Sequence, residues 1–167
     1  MQNTKPIVLF DIDYTLFDTA LFKESKLLTH KIYKEVIEVL DNLNKIAILG
    51  IFSEGDIDFQ RRKLKETNID KYFEKVHTHI VLEKLDDLKR ILKSYEDRQV
   101  FFVDDKLNIL YDAKKSFPDV FTIWVKRGFY AENQKNIPGF KPDATVTNLE
   151  DVVEIIKAVL DAEMNSA

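Results

Sequence analysis

The sequence predicts an α/β protein with a doubly wound, three-layer α/β/α Rossmann-like arrangement around a parallel sheet. Short apolar runs that do not alternate with polar residues, such as residues 7–10 and 45–52, indicate strands buried on both faces. Segments with apolar residues at three- and four-residue steps lie between these runs and indicate amphipathic helices. The regular alternation of strand and helix favours parallel strands joined by right-handed crossovers.

The first half of the chain contains patterns for three strands and two helices. Either Ser25 or Thr29 is placed to cap the first helix, and Asp56 the second, because their side-chain oxygens accept hydrogen bonds from helix N-termini. In chain order the predicted elements are a strand over 7–10, a helix over 32–43, a strand over 45–52, a helix over 57–67 and a strand over 75–81.

The second half continues the alternation and ends in a helix that Asn148 is placed to cap. We expect a single domain over residues 1–163 and a disordered tail over 164–167. The predicted elements are a helix from Lys84, a strand over 99–103, a short helix over 107–113, a strand over 120–125, an irregular stretch over 126–142, an edge strand over 144–146 and a helix over 149–160.

The composition of the chain excludes some classes of function. A length of 167 residues suits one domain, and a net charge of −4 argues against a nucleic-acid partner, since nucleic-acid-binding proteins usually carry a basic face. The chain has no cysteine, which excludes disulfides and thiol catalysis. It contains no apolar run of membrane-spanning length and no signal-peptide pattern, so we expect a cytoplasmic protein without a membrane partner.

Two acids follow the first predicted strand directly. Asp11 and Asp13 are two residues apart on extended chain, so their side chains project to the same side. Two carboxylates this close repel each other unless a cation lies between them or one of them is protonated. The pair therefore indicates either a hard cation, with Mg²⁺ as the first choice, or acid/base chemistry.

Other polar residues lie at or just after the ends of the later predicted strands, as Asp11 and Asp13 do after the first. The carboxyl ends of parallel strands meet at one edge of a sheet, where open α/β folds bind their ligands. Phosphoryl transfer needs such a set: positive charge and donors for the phosphoryl oxygens and a nucleophile in line, which a carboxylate can provide by forming an acyl-phosphate. The residues at this edge are Asp11, Asp13, Ser53, Lys84, Asp104 and Asp105.

These residues, in this order, resemble the four motifs of the haloacid dehalogenase (HAD) superfamily of aspartate-nucleophile phosphohydrolases. The resemblance covers nearly the whole chain and also includes the segment from Gly55 through Gln60 and Lys63 to Leu64, which is similar to a helix that many members carry. The four motifs are Asp11-Ile-Asp13-Tyr-Thr15 after a strand, Ser53 at the end of a strand, Lys84 in Leu82-Glu-Lys-Leu, and Val103-Asp104-Asp105.

The resemblance implies a role for each motif residue. Asp11 would be the nucleophile and a metal ligand, and Asp13 the general acid and base, with its backbone carbonyl on the metal. Thr15 would brace the turn and is predicted, with the other polar residues of the second and third motifs, to contact the phosphate. The phosphate-binding set is then Thr15, Ser53, Glu54 and Lys84, and the Mg²⁺ set is Asp11, Asp13, Asp104 and Asp105.

Two features depart from the pattern of the superfamily. The second motif is Ser-Glu-Gly, which puts the carboxylate of Glu54 near an anion site, where it would either point outward or select a positively charged substrate. The further acid or amide that often follows the acid pair is matched only by Asn108 or Asp112. An acid at position 13 agrees with phosphatase rather than dehalogenase chemistry, as the resemblance implies.

The insertion points of cap domains in this superfamily hold only short segments here. Residues 18–29 and 55–84 are too short for a separate domain, so the resemblance implies a member without a cap. Its open site would admit phosphorylated macromolecules, or homo-oligomerisation would cover a site for a small phosphorylated molecule. The competing interpretations are a phosphotransferase or mutase, a receiver-like phospho-acceptor, and a non-catalytic binding domain.

Several charged residues have a simpler interpretation as ordinary surface. Lys84 competes with three other lysines for the third motif, and two histidines on one strand suggest no more than partly exposed side chains. Basic residues in the helix over 57–67 and after the strand over 120–125 are predicted to be solvated. These residues are Lys75, Lys89 and Lys93, His77 and His79, Arg61 to Lys63, and Lys126 with Arg127.

Overall fold

A six-stranded parallel sheet forms the centre of the protein in a computed structural model that describes residues 4–166. The strand order is β3-β2-β1-β4-β5-β6, so the chain builds one half of the sheet outward from β1 and then returns to build the other. The reversal between β1 and β4 creates the kind of crevice where open sheets bind ligands. The strands are β1 Ile7–Phe10, β2 Ile48–Glu54, β3 Thr78–Val81, β4 Val100–Asp104, β5 Phe121–Val125 and β6 Ala144–Val146.

Helices cover both faces of the sheet and confirm the predicted three-layer α/β/α arrangement. Two apolar clusters form the core, one on each face. Helices α2 and α7 pack on one face through residues such as Leu40 and Ile156, and α4 and α5 pack on the other through Ile91 and Leu110. The helices are α1 Thr19–Glu24, α2 Val36–Asn44, α3 Ile57–Glu66, α4 Lys84–Lys93, α5 Leu107–Ser116, α6 Gly128–Asn133 and α7 Glu150–Ser166.

The region after the first strand differs from its prediction. The short helix α1 is capped by Asp18 and ends at Glu24, and the next helix begins only at Val36, without a side-chain cap. Neither Ser25 nor Thr29 therefore starts a helix. Lys26 and Leu27 have φ values of 58° and 65°, and a right-handed helix cannot continue through that conformation.

Two further segments are more helical than predicted. Helix α6 lies within the stretch 126–142, and helix α7 extends to Ser166, past the predicted domain end at 163. Residues 161–166 contain no glycine or proline, so nothing in the sequence breaks the last helix. Residue 167 of the predicted tail lies outside the described residues. Asp56 and Asn148 cap α3 and α7 as predicted.

The connections between the first three strands are short. Within residues 4–166, only α1 and α2 lie between β1 and β2, and α3 with two 3₁₀ turns lies between β2 and β3. The described chain thus has no inserted cap domain, as predicted. None of the helices in this part of the chain has the length and apolar character required to cross a lipid bilayer.

Candidate active site

The predicted site residues meet at the carboxyl edge of the sheet. Asp11 follows β1, Ser53 and Glu54 end β2, Asp104 ends β4, and Lys84 is the first residue of α4. A cavity of about 440 Å³ opens above this edge. Its walls come from the loop after β1, from α1, α3 and α6, and from the loops after β2, β3 and β4.

Lys84 connects two of the predicted carboxylates. Its side chain is buried, and its Nζ lies 2.8 Å from Asp11 Oδ1 and 2.6 Å from Asp104 Oδ2. Burial alone would lower the pKa of Lys84, but the two carboxylates outweigh it and raise this pKa, so the ammonium stays charged. The three competing lysines, at positions 75, 89 and 93, are exposed.

Three acids form one buried cluster at the base of the cavity. Carboxylate oxygens of Asp11, Asp104 and Asp105 all lie within 4.8 Å of one another. Asp105 Oδ2 is buried and has no hydrogen-bond partner among the described residues. Burial raises the pKa of Asp11 and, together with the carboxylates of Asp11 and Asp104, raises that of Asp105. One ammonium thus leaves the cluster short of positive charge, and an oxygen-ligated cation such as Mg²⁺ fits this donor set.

The two neighbouring acids of the fourth motif differ in their contacts. Asp104 Oδ2 accepts from Lys84, and Asp104 Oδ1 accepts from the backbone N–H of Lys106 at 2.8 Å. Asp105 is held instead through its backbone carbonyl, which accepts from Trp124 Nε1 and from Gln134 Nε2. Asp105 therefore has the freer carboxylate oxygen of the two.

The carboxylate of Asp13 is held apart from the three clustered acids. Its Oδ1 lies 2.6 Å from Lys63 Nζ and accepts from Thr19 Oγ1 at 2.8 Å, and its Oδ2 accepts from Gln60 Nε2 at 2.8 Å. Burial would raise the pKa of Asp13, but the Lys63 ammonium and the two hydrogen bonds lower it overall. These contacts fix the orientation of the carboxylate at the wall of the cavity.

Lys63 is buried, so the prediction of a solvated basic face is wrong at this position. Its neighbours Arg61 and Arg62 are exposed as expected. The Lys63 side chain packs between the ring of Phe59, 4.9 Å from the ammonium to the ring centroid, and Phe17. Only two features of the sequence point to Lys63. One is its three-residue spacing from Gln60, which puts both side chains on one helix face, and the other is the resemblance of this segment.

Ser53 and Thr15 lie beneath the cavity rather than in its wall. Ser53 is buried, and its Oγ accepts from Gln60 Nε2 at 3.2 Å. Thr15 is fully buried, and its Oγ1 has no partner among residues 4–166. Neither residue lines the cavity. The structure thus gives no support for a Thr15 contact with phosphate, and the contact of Ser53 stays a prediction.

Glu54 caps a helix with one of its carboxylate oxygens. Its Oε2 accepts from the backbone N–H of Lys84 at 2.8 Å, at the start of α4, and its Oε1 pairs with Lys106 Nζ at 3.2 Å. Burial would raise the pKa of Glu54, but these donors lower it. The two contacts neutralise the extra carboxylate of the second motif, and a contact of Glu54 with phosphate stays a prediction. Asn108 is exposed, and neither it nor Asp112 belongs to the acid cluster.

Arg127 connects the turn after β1 to the start of α2, so the prediction that it is a solvated charge in a loop is wrong. One guanidinium nitrogen pairs with the buried Glu35, and another donates to the backbone carbonyl of Thr15 at 2.6 Å. The guanidinium also lies 3.5 Å from the ring centroid of Tyr33. Arg127 therefore anchors the turn that carries the first motif to the start of α2.

Two histidines at the edge of the sheet, His77 in the turn before β3 and His79 on β3, have no part in this site. Both ring systems hydrogen-bond to one phenol, with His77 Nδ1 3.0 Å and His79 Nε2 2.7 Å from Tyr95 Oη. Tyr95 is itself buried in the core on the α4 side of the sheet. These contacts agree with the simpler interpretation of both histidines as structural residues.

Comparisons with known proteins agree with this architecture. The sequence profile of a family described as "protein of unknown function (DUF705)" matches residues 1–134. No curated protein sequence matches the chain significantly. Solved structures match it over most of its length, although their sequences are at most 22% identical to it among those compared below.

Three of these structures illustrate the likeness. A haloacid dehalogenase-like protein from Burkholderia xenovorans LB400 has a TM-score of 0.78 at 22% identity, covering 93% of this chain and 98% of its own. A predicted phosphoglycolate phosphatase from Haemophilus somnus 129PT has a TM-score of 0.70 at 14% identity, covering 93% and 99%. YfnB from Bacillus subtilis, described as a HAD-type protein bound to magnesium, has a TM-score of 0.65 at 14% identity, covering 92% and 99%. The fold is therefore haloacid dehalogenase-like.

Proposed function

This chain belongs to the DUF705 family and has the haloacid dehalogenase-like fold, and on that premise we propose that it is a Mg²⁺-dependent phosphomonoester hydrolase. The observation that carries the proposal is the buried cluster of Asp11, Asp104 and Asp105 around the Lys84 ammonium. Carboxylates are buried in this way only at a high free-energy cost, which a catalytic or metal-binding role explains. The description of one similar structure as a predicted phosphatase agrees with it.

In the first step, a carboxylate oxygen of Asp11 attacks the phosphorus atom of the substrate. The bond from phosphorus to the ester oxygen breaks, and Asp13 gives its proton to the departing alkoxide or phenoxide. Asp13 lies in the cavity wall for this task, oriented by Lys63, Gln60 and Thr19. The product of this step is an aspartyl-phosphate on Asp11.

In the second step, water attacks the phosphorus atom of the aspartyl-phosphate. Asp13 now accepts the proton of that water, and the bond between phosphorus and the Asp11 oxygen breaks to release inorganic phosphate. Asp13 is ionised at this stage because it gave up its proton in the first step, and the Lys63 ammonium that lowers its pKa stabilises the ionised form. Lys84 stabilises negative charge beside Asp11 throughout both steps.

Asp11, Asp104 and Asp105 would hold the Mg²⁺, together with the backbone carbonyl of Asp13 that the resemblance implies. When bound, the ion supplies positive charge for the phosphoryl oxygens and for the clustered carboxylates. The magnesium described in the similar structure of YfnB supports this choice of ion.

The proposal is tested by hydrolysis of p-nitrophenyl phosphate with Mg²⁺ and after removal of divalent ions with a chelator. We expect turnover that needs Mg²⁺ and returns when the ion is restored. Stoichiometric phosphorylation of Asp11 by a phospho-donor, without turnover, would contradict a hydrolase and favour the receiver-like alternative. Failure to bind Mg²⁺ and to turn over any aryl phosphate would favour a non-catalytic domain.

Lys63 is expected to set the pH dependence of the second step. The Lys63→Met variant removes the ammonium that lowers the pKa of Asp13, so this pKa rises and the carboxylate is protonated at a higher pH. We expect the acid limb of kcat for p-nitrophenyl phosphate to shift to higher pH. The Lys65→Met variant, at an exposed position of the same helix, serves as the control and should keep the original limb. An unchanged limb in Lys63→Met would show that Lys63 does not act on the base.

A further inference from the structure

We propose that the mouth of the cavity is a subsite for the leaving group, built for a phosphorylated phenol that carries a second anionic group, which Lys23 binds. The inference rests on the proposed function, since it names the substrate class of the same site. It depends on three observations: an aromatic wall next to the acids, a lysine at its rim that pairs with no carboxylate of the described residues, and a glycine that fixes the position of the wall.

The wall of the cavity changes from acidic to apolar with distance from the acid cluster. Beyond Asp13 it includes six aromatic and aliphatic side chains, of which Leu27, Leu82 and Tyr130 are exposed and Tyr14 is buried. Two of these, Leu27 and Leu82, are 63% and 72% exposed, and exposed apolar surface around a polar centre is typical of a binding site. The apolar lining residues are Tyr14, Phe22, Leu27, Phe59, Leu82 and Tyr130.

Two tyrosines form the part of this wall that suits an aromatic ring. Tyr14 follows Asp13 directly, and its ring meets that of Tyr130 from α6 edge to face, with 6.0 Å between centroids. Aromatic rings prefer such offset or edge-on neighbours, so a substrate ring above the acids has a favourable partner. The volume of about 440 Å³ leaves room for a substituted ring beside the phosphoryl group.

Lys23 differs in its contacts from the other two lysines of the cavity. Lys63 is paired with Asp13, and Lys106 is paired with Glu54. The Lys23 ammonium lies 3.1 Å from the phenol oxygen of Tyr14, and among residues 4–166 it forms no ion pair with a carboxylate. Lys23 is thus an exposed positive charge at the rim of the aromatic wall, which a carboxylate or a second phosphate on the substrate would neutralise.

A glycine holds the aromatic wall in place. Tyr14 has a φ of 60°, a conformation that non-glycine residues rarely adopt, so its backbone is set by the surrounding structure. A Cβ atom on Gly128 would lie only 2.3 Å from the Tyr14 ring, and Gly128 has a φ of 79° at the start of α6. The ring of Tyr14 therefore fits against backbone that only glycine provides, and this position presents its phenol to Lys23.

The test compares phenyl phosphate with 4-carboxyphenyl phosphate, in the wild type and in the Lys23→Met variant, with Mg²⁺ present. We expect the wild type to prefer the carboxylated substrate in kcat/KM, and Lys23→Met to reduce that preference about 2–5-fold, the range of an exposed ion pair. The ratio between the two enzymes cancels the intrinsic reactivity of the two esters. Lys26→Met changes a neighbouring exposed lysine outside the cavity and should keep the wild-type preference.

A binding experiment separates this inference from the proposed function. Calorimetry with benzylphosphonate and 4-carboxybenzylphosphonate measures the same preference without turnover, and the same loss is expected in Lys23→Met. If the enzyme hydrolyses phenyl phosphate but Lys23→Met keeps the wild-type preference, the subsite is overturned and the function stands. If nothing is hydrolysed but the binding preference depends on Lys23, the function fails and the subsite stands. Equal binding of both phosphonates by the wild type also overturns the subsite.

Discussion

Replacement of Asp11 by asparagine is expected to reduce hydrolysis of p-nitrophenyl phosphate by about 10⁴-fold or more, as loss of a catalytic nucleophile does elsewhere. The amide has the shape of the carboxylate but is neutral, so it attacks phosphorus poorly and binds Mg²⁺ less well. The variant should fold, because Lys84 keeps Asp104 as its partner. Removing one of three crowded carboxylates also relieves the repulsion that raises the pKa of Asp105.

The measurement is steady-state kinetics with saturating Mg²⁺, together with mass spectrometry of the acid-quenched enzyme. Wild-type protein should carry one phosphoryl group during turnover, and Asp11→Asn should carry none. Asp112→Asn is the matched control, since it changes a partly buried aspartate outside the cluster and should retain activity. Retention of even a tenth of the wild-type rate by Asp11→Asn would show that another group is the nucleophile.

Replacement of Lys84 by methionine is expected to produce the largest loss of stability. It removes the only ammonium that contacts the buried carboxylates of Asp11 and Asp104 within residues 4–166. Removing one partner of a buried ion pair costs roughly 3–5 kcal/mol, which in a domain of this size lowers Tm by roughly 10 °C. Activity should fall as well, because the phosphoryl group loses its fixed positive charge.

Two conditions should reduce the stability loss of Lys84→Met. Mg²⁺ should restore part of the stability, because an ion that binds the folded state shifts unfolding by mass action. Mildly acidic solution should also help. Without Lys84 the pKa values of Asp11 and Asp105, which burial already raises, lie further above their unfolded values, so stability is lost as the pH rises from the unfolded values toward the raised ones. Thermal unfolding with and without Mg²⁺, at acidic and neutral pH, measures both effects.

Lys89→Met, on the exposed face of the same helix, is the control and should change the free energy of unfolding by less than about 0.5 kcal/mol. If Lys84→Met unfolds at the wild-type temperature without Mg²⁺, the carboxylates do not depend on Lys84 for their charge balance. The assignment of Lys84 to the site would then need another basis.

The parallel sheet and the residues at its carboxyl edge could be predicted from the sequence, because both depend on short segments of the chain. Continuous apolar runs such as 7–10 fix buried strands, and acids that follow them are carried to the carboxyl edge whatever the rest of the chain does. Asp11 and Asp104 are placed by this local logic. The position of Lys84 follows from the start of a helix after the third strand, and the apolar pattern of residues 84–93 predicts that helix.

The charge partners were decided by the tertiary structure alone. The spacing from Gln60 and the resemblance of its segment single out Lys63 in the sequence, but neither indicates that Lys63 reaches Asp13, a residue 50 positions earlier. Arg127 anchors the carbonyl of Thr15 across 112 positions, which no local pattern indicates.

The same reason explains what the sequence could not assign for Glu54 and α6. Whether Glu54 faces an anion or caps α4 depends on where the N-terminus of another helix lies, and the structure puts Lys84 N–H against it. Helix α6 is too short for its periodicity to be detected, and its position depends on the contact of Gly128 with Tyr14. The sequence by itself determined which groups reach this edge, because burial and strand direction are local properties. Only the tertiary structure decided how their charges are paired, because electrostatic partners are chosen by distance in space rather than along the chain.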